Sequence, residues 1–421
     1  MVSNDARHGW PGLATILLLA VGLRLLWALF VPVSPISDAS IYDIFAREIA
    51  AGHGYVFPDG SPTVYWPVGP SALYGFFYAL FGTHGWAVAL PNIVMGTALV
   101  AGIYRLALLR FGERVASIAG LIAALWPIWV QFTTTLSSEL PFTLLLIAAL
   151  LVRMETRMPG WGRIVLSTVL LAAAAYMRPT ILPLVILYPL IEGACRRPAR
   201  AALHLVLAVA VATALLAPWA ARNRALFGAP VLISANFGAN LWMGNNPASN
   251  GGYMPLPEID APTEIARDAY FKEQALDFIR THPIDYLGLC VKRIALSFDR
   301  ETIGIVWNEH SISPALQPVL KLVSSLYWMA VFLLSLIGVG LFLWRKPLRI
   351  FDPLVVTPGL FAAVALLVVG QDRYHMPIMP FVALFAALAI APLTSRRRKD
   401  TAITPRNATA PKAVERLAAS D

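Results

Sequence analysis

The chain has 421 residues, of which 58% are hydrophobic and 14% charged, with a formal net charge of +9. So apolar a composition excludes a soluble protein of this size and points to an integral membrane protein. The basic residues cluster in short loops between apolar runs. That argues against nucleic acid as a partner and fits loops facing anionic inner-leaflet lipid.

In chain order, about ten apolar runs read as transmembrane helices: 12–31, 86–109, 115–132, 137–153, 163–177, 179–192, 202–221, 319–344, 353–370 and 374–393. The first resembles a signal peptide, but its run is long and no small-residue cleavage site follows, so it reads as a retained span. The runs 163–177 and 179–192 are short and divided only by Arg178-Pro179, as in a tight hairpin or bent helices. Arg110 and Arg114, then Arg153, Arg157 and Arg163, then Arg196, Arg197 and Arg200, then Arg345, Lys346 and Arg349 fall on one side of this topology. The positive-inside rule makes that side, with both termini, cytoplasmic, and the protein a multi-pass one of the inner (plasma) membrane. Residues 1–393 form the transmembrane domain, and 394–421 read as a disordered basic cytoplasmic tail.

Two segments lie on the other side. The first external loop, 32–85, opens with Ser34-Pro35-Ile36-Ser37-Asp38 and continues into an amphipathic helix over 39–51. Ile41, Phe45, Ile49 and Ala50 share one face of it, with Asp43, Arg47 and Glu48 away from that face. Residues 67–83 are apolar enough to span, but counting them would reverse every later loop. They read instead as an interfacial or re-entrant helix. The larger external segment, 222–318, carries a Gly/Asn-rich turn region at 236–252 and two helices, near 263–281 and 284–298, split by His282-Pro283. Cys195 and Cys290 fall on opposite sides, so no disulfide or metal framework is read from them.

Several residues carry candidate chemistry. Asp38 is a carboxylate at the lipid–water boundary, suited to act as a base or simply to cap the helix that follows it. Asp43, one turn on, is a solvated helix residue or a substrate contact. Glu139, in Ser137-Ser138-Glu139-Leu140-Pro141, enters the bilayer region, where an ionisable group faces a polar cavity or a partner. The competing reading is a helix-start acid capped by Ser137 or Ser138. Arg178, Arg222 and Arg373 reach the carboxylate side from three separate spans, and the planar fork of arginine suits phosphate; snorkelling to headgroups is the alternative. Arg24, inside the first span, pairs with a carboxylate or snorkels. Trp242, Asn245 and Asn246 combine an aromatic face with amides, which suits sugar binding or a structured turn. With Tyr42, Asp43 and Tyr374 they complete the expected substrate contacts. No P-loop or Rossmann fingerprint occurs, and no soluble domain is large enough for a nucleotide-sugar.

On these motifs the chain resembles bacterial GT-C-type membrane glycosyltransferases, the broad family containing protein O-mannosyltransferases and the lipid A aminoarabinose transferase (glycosyltransferase family 39-like). The resemblance lies in Asp38, Phe81-Gly82 with Trp86, Ser138-Glu139-Leu140-Pro141, Pro218-Trp219 with Arg222-Asn223, Asn240-Leu241-Trp242 with Gly244-Asn245-Asn246-Pro247, and Asp372-Arg373-Tyr374. It implies an all-α GT-C fold and an inverting transferase. The donor would be a polyprenyl-phosphate-linked sugar, and the acceptor an envelope glycan, lipid or protein on the external face. By analogy Asp38 is the base or acceptor-orienting carboxylate, Arg222 and Arg373 phosphate ligands, and Glu139 a cavity residue. The chain has Asp38-Ala39 where many relatives have two acids, and Trp66-Pro67-Val68-Gly69-Pro70 where many have a charged residue before Pro-Pro. These departures leave a divalent metal requirement and the acceptor class open. The rival reading is a flippase or transporter of lipid-linked sugars. The polar residues crowd one face and no internal repeat occurs, which favours a surface reaction.

Overall fold

The computed structural model describes residues 10–196, 198–344 and 346–393; the expected tail at 394–421 lies outside them. Its helices are α1 (Leu13–Phe30), α2 (Asp38–Ala50), α3 (Val68–Phe81), α4 (Trp86–Phe111), α5 (Glu113–Leu125), α6 (Pro127–Gln131), α7 (Glu139–Met154), α8 (Gly160–Met177) and α9 (Pro183–Arg196). They continue with α10 (Pro198–Phe227), α11 (Phe237–Gly244), α12 (Glu264–Thr281), α13 (Pro283–Phe298), α14 (Ile303–Val306), α15 (Gln317–Trp344), α16 (Pro353–Leu367) and α17 (Met379–Ile390). Among the described residues there is no strand, only two isolated bridges, so the all-α expectation is met.

Every expected span coincides with helix, but the lengths differ. Among the described residues, five helices, α1, α4, α8, α10 and α15, are long and apolar enough to cross a bilayer. A sixth forms if α5 and the 127–134 stretch, bent by 54° at the break, count as one. The break falls at Trp126-Pro127: proline pushes the residue before it out of the helical region, and Trp126 sits at φ −65°, ψ 117°. Shorter apolar helices include α3, α16 and α17.

Burial sorts these helices into layers. Met379, Phe381, Leu384 and Ala387 are all buried in α17, which packs between α5 and α15 at the centre of the bundle. By contrast α1, α10 and α15 leave Leu18, Val206 and Leu326 more than half exposed, as helices facing lipid do.

The first loop folds as an α-helical pair on one end of the bundle. Helix α2 packs on α3, where Ala46 and Ile49 approach Gly75 so closely that a Cβ there would lie 2.9 Å from the Ile49 side chain. In the 222–318 segment, α12 begins at an N-cap Thr263 whose hydroxyl accepts from the Ala266 N–H at 3.1 Å, and Pro283 opens α13. One expectation needs correction. Residues 237–244 are helix α11 within the region read as turn. Gly238 and Gly244 serve close packing there, since a Cβ on either would fall 1.9 Å from the carbonyl oxygen of Asp268 or Val368.

Candidate active site

Helix α2 starts abruptly. Ser37, just before it, sits at φ 54°, the only positive φ of a non-glycine residue among those described, a costly conformation for a residue with a Cβ. No side chain caps the helix. Asp38 is instead its first residue, and its carboxylate leaves the helix to accept from Arg373 Nη1 at 2.6 Å. The capping reading of Asp38 is thereby overturned: the group is committed to a long-range ion pair.

Arg373 comes from a 3-10 turn, Asp372–His375, between α16 and α17. Its Nε donates to Gln371 Oε1 at 2.7 Å, its plane faces Trp307 and Tyr374 at 5.0 and 5.4 Å, and Nη1 lies 3.7 Å from Glu139 Oε1. Burial opposes the charge on Arg373, and Asp38, Tyr374 and Glu139 together outweigh that cost, leaving its pKa above the ordinary arginine value. Glu139, at the start of α7, is wholly buried. It accepts from Arg178 Nη1 at 2.7 Å and from Ser138 Oγ at 3.2 Å, so it meets a partner; neither serine side chain caps α7. Arg178 reaches it from the extended break between α8 and α9 and also faces the Tyr374 ring at 5.2 Å.

Four elements distant in sequence thus bring two carboxylates and two guanidinium groups together, formally neutral. Tyr42, one turn beyond Asp38, is buried beside them. Burial first, and then Asp38 and Glu139, raise its pKa above the usual tyrosine value, so its hydroxyl stays a donor. Exposure separates the acids: the Asp38 side chain is 31% exposed, Glu139 0%. Only Asp38 is open to an incoming hydroxyl.

The other expected site residues lie apart from this cluster. Asp43 accepts from the Tyr78 hydroxyl at 2.5 Å and from Arg47 Nε at 2.7 Å, which ties α2 to α3. Arg222 donates to the carbonyls of Tyr55 and Thr63 at 3.0 and 3.1 Å and stacks on Trp219, holding the first loop against α10. Trp242 packs on Phe271. Asn245 donates to the carbonyls of Leu241 and Val368 and accepts from Arg293, while Asn246 closes the turn through the Trp242 carbonyl and the Ala248 N–H. Arg24 is buried in α1, with one hydrogen bond, to the Ala20 carbonyl at 3.0 Å. The snorkelling reading fails for it, and no carboxylate pairs with it among the described residues.

The sequence reading passed over Trp307 and Gln371, which orient Arg373, because neither stands in a motif of its own. It also passed over an apolar groove of about 480 Å³ between α9 and α10, lined by Leu182, Val185, Val209, Leu216 and Leu232 with Arg224. The groove starts four residues beyond Arg178. Among the described residues no three His, Cys, Asp or Glu side chains are placed to hold a metal ion, and the two carboxylates of the cluster already face arginines.

Residues 66–221 match the family described as dolichyl-phosphate-mannose-protein mannosyltransferase. The chain is 37% identical over 102 residues to the putative mannosyltransferase YycA of Bacillus subtilis, which covers 24% of this chain and 14% of that protein. In fold it is similar to the oligosaccharyltransferase AglB of Archaeoglobus fulgidus, solved with an inhibitory peptide and a dolichol-phosphate. The TM-score is 0.52 at 16% identity, over 94% of this chain and 52% of that one. A further likeness, with a TM-score of 0.44 and 17% identity over 90% of this chain and 77% of the other, is to ArnT from Cupriavidus metallidurans bound to undecaprenyl phosphate. The chain therefore spans about half the archaeal enzyme and a small part of the bacterial relative. Residues 66–221 therefore resemble the mannosyltransferase family, and the fold resembles that of the archaeal oligosaccharyltransferase.

Proposed function

We propose that the protein transfers a sugar from a polyprenyl-phosphate carrier to a hydroxyl acceptor on the external face of the plasma membrane. The observation that carries this reading is the meeting of Asp38, Arg373, Glu139 and Arg178, with an apolar groove between α9 and α10 that begins four residues along the chain from Arg178. The distribution of arginines along the sequence supports the orientation, with both termini cytoplasmic.

In the resting state Arg373 is paired with Asp38. A donor phosphate competes for the guanidinium groups of Arg373 and Arg178, and the isoprenoid tail lies in the α9–α10 groove. Losing its cation, Asp38 becomes free to take a proton. The acceptor oxygen attacks the anomeric carbon as its proton passes to Asp38, and the bond from that carbon to the phosphate oxygen breaks. The polyprenyl phosphate leaves with its negative charge held by the two arginines. Glu139 keeps Arg178 and Arg373 in register, and Tyr42 is placed to donate to a sugar or phosphate oxygen.

The test is release of polyprenyl phosphate from a panel of polyprenyl-phosphate sugars by the purified protein in nanodiscs, with Asp38→Asn as control. Asp38-dependent release establishes the transferase and names the donor. Donor movement across proteoliposomes without release would instead make the protein a flippase.

A further inference from the structure

The short segment that delivers Arg373 is held by polar contacts the mechanism does not use. At its start the Gly370 N–H donates to the Gly251 carbonyl at 2.9 Å. Asp372 Oδ2 accepts from the Thr302 N–H, the Thr302 hydroxyl and the Ile303 N–H at 2.8, 2.9 and 3.0 Å, closing the start of α14. At its end His375, wholly buried, sets Nδ1 2.7 Å from the Ser297 carbonyl. The ring lies flat on Trp328, with centroids 4.0 Å apart and planes 4° apart. Its Nε2 stands 3.5 Å from Oε2 of the buried Glu301, and Trp126 Nε1 donates to that same oxygen at 2.9 Å.

The protons on this pair follow from the partners. A carbonyl oxygen only accepts, so Nδ1 must carry hydrogen. Nε2 makes no hydrogen bond, and a bare lone pair facing a carboxylate oxygen 3.5 Å away would be repelled, so a proton on one of the two groups is what makes this contact favourable. Burial raises the pKa of Glu301 above the ordinary carboxyl range, which keeps that proton in place. Neither residue makes a hydrogen bond or ion pair with Asp38, Glu139 or Arg178 among the described residues. Any effect they have on the cluster passes through this turn, whose Arg373 pairs with both acids and whose Tyr374 faces Arg178 only through its ring.

We infer that Glu301 and His375, with the proton that one of them holds, are positioning residues that fix the 370–375 turn so that the Arg373 guanidinium stays between Asp38 and Glu139. This inference names a support for the proposed site, but its first test is independent of transfer. Labelling with phenylglyoxal, read by peptide mass spectrometry, reports how firmly Arg373 is paired. His375→Phe keeps a ring on Trp328 while removing both nitrogens, and it should make Arg373 several-fold more reactive with Arg178 unchanged. Glu301→Leu should do the same. Unchanged Arg373 labelling in folded His375→Phe or Glu301→Leu overturns the inference. So does an equal rise at Arg178, which would mean general loosening.

With a working donor assay, His375→Phe should raise donor KM about tenfold with kcat nearly unchanged. Its effect should vanish in an Arg373→Lys background, as coupling through one residue requires. Additive effects would contradict it. Absence of turnover in the wild type would refute the transferase reading and leave the labelling result standing.

Discussion

Two polar regions looked alike in the sequence and differ in the structure. The Asn-rich stretch around Asn245 and Asn246 satisfies its amides locally, on carbonyls of Leu241 and Trp242 within one turn, and on Val368 and Arg293. The Asp38–Arg373–Glu139–Arg178 cluster joins groups up to 335 positions apart, and in the proposed mechanism its arginines exchange a carboxylate partner for a phosphate. A saturated local network builds shape. A charge cluster that assembles from four elements, with one acid still open to solvent, is where an anionic ligand finds competing partners.

Substitutions sharpen that contrast. Arg373→Ala should lower kcat/KM by about a hundredfold or more, since it removes a cation from the departing phosphate; steady-state kinetics in nanodiscs reads it. Arg178→Gln should raise donor KM about tenfold and also destabilise the fold, because Glu139 is left buried without its partner. Asn245→Ala should cost about 2 kcal/mol of stability by removing one acceptor of the buried Arg293 and the amide's bonds to the Leu241 and Val368 carbonyls, with donor KM unchanged. Equal losses of donor affinity in Asn245→Ala and Arg178→Gln would erase the distinction between the two regions.

The smallest effect concerns pH. The Glu301 carboxyl is raised in the folded protein, so its contribution to stability is present below the pKa of an unfolded glutamate and is lost as pH rises through the folded value. Melting temperature should therefore fall as pH rises above the pKa of an unfolded glutamate. Glu301→Gln should flatten that decline, with His375, Asp372 and Trp126 as the groups facing the site.

The apolar spans were legible because lipid exposure writes itself as long hydrophobic runs, and α12 and α13 because Thr263 and Pro283 mark their starts. Arg178 and Arg373 were legible as positive charges on the side where such charge is otherwise scarce, and Asp38 and Glu139 as carboxylates at the edge of the bilayer region. Their pairing was not, since nothing local tells Asp38 that its partner stands at 373. The same residue types misled elsewhere. Arg222 looked like a phosphate ligand, yet its guanidinium holds the carbonyls of Tyr55 and Thr63. Gly238 and Gly244 looked like turn residues, although they lie in a helix that packs too closely for any side chain. Glu301 and His375 carried no signal at all, because their contact depends on the tertiary fold.

The most direct test measures donor binding and turnover side by side in Asp38→Asn. If Asp38 is both the resting partner of Arg373 and the base, the variant should bind a polyprenyl-phosphate sugar at least as tightly as the wild type. Its turnover should fall by about a hundredfold or more. Turnover near the wild-type rate, or loss of binding in a folded variant, would contradict the account.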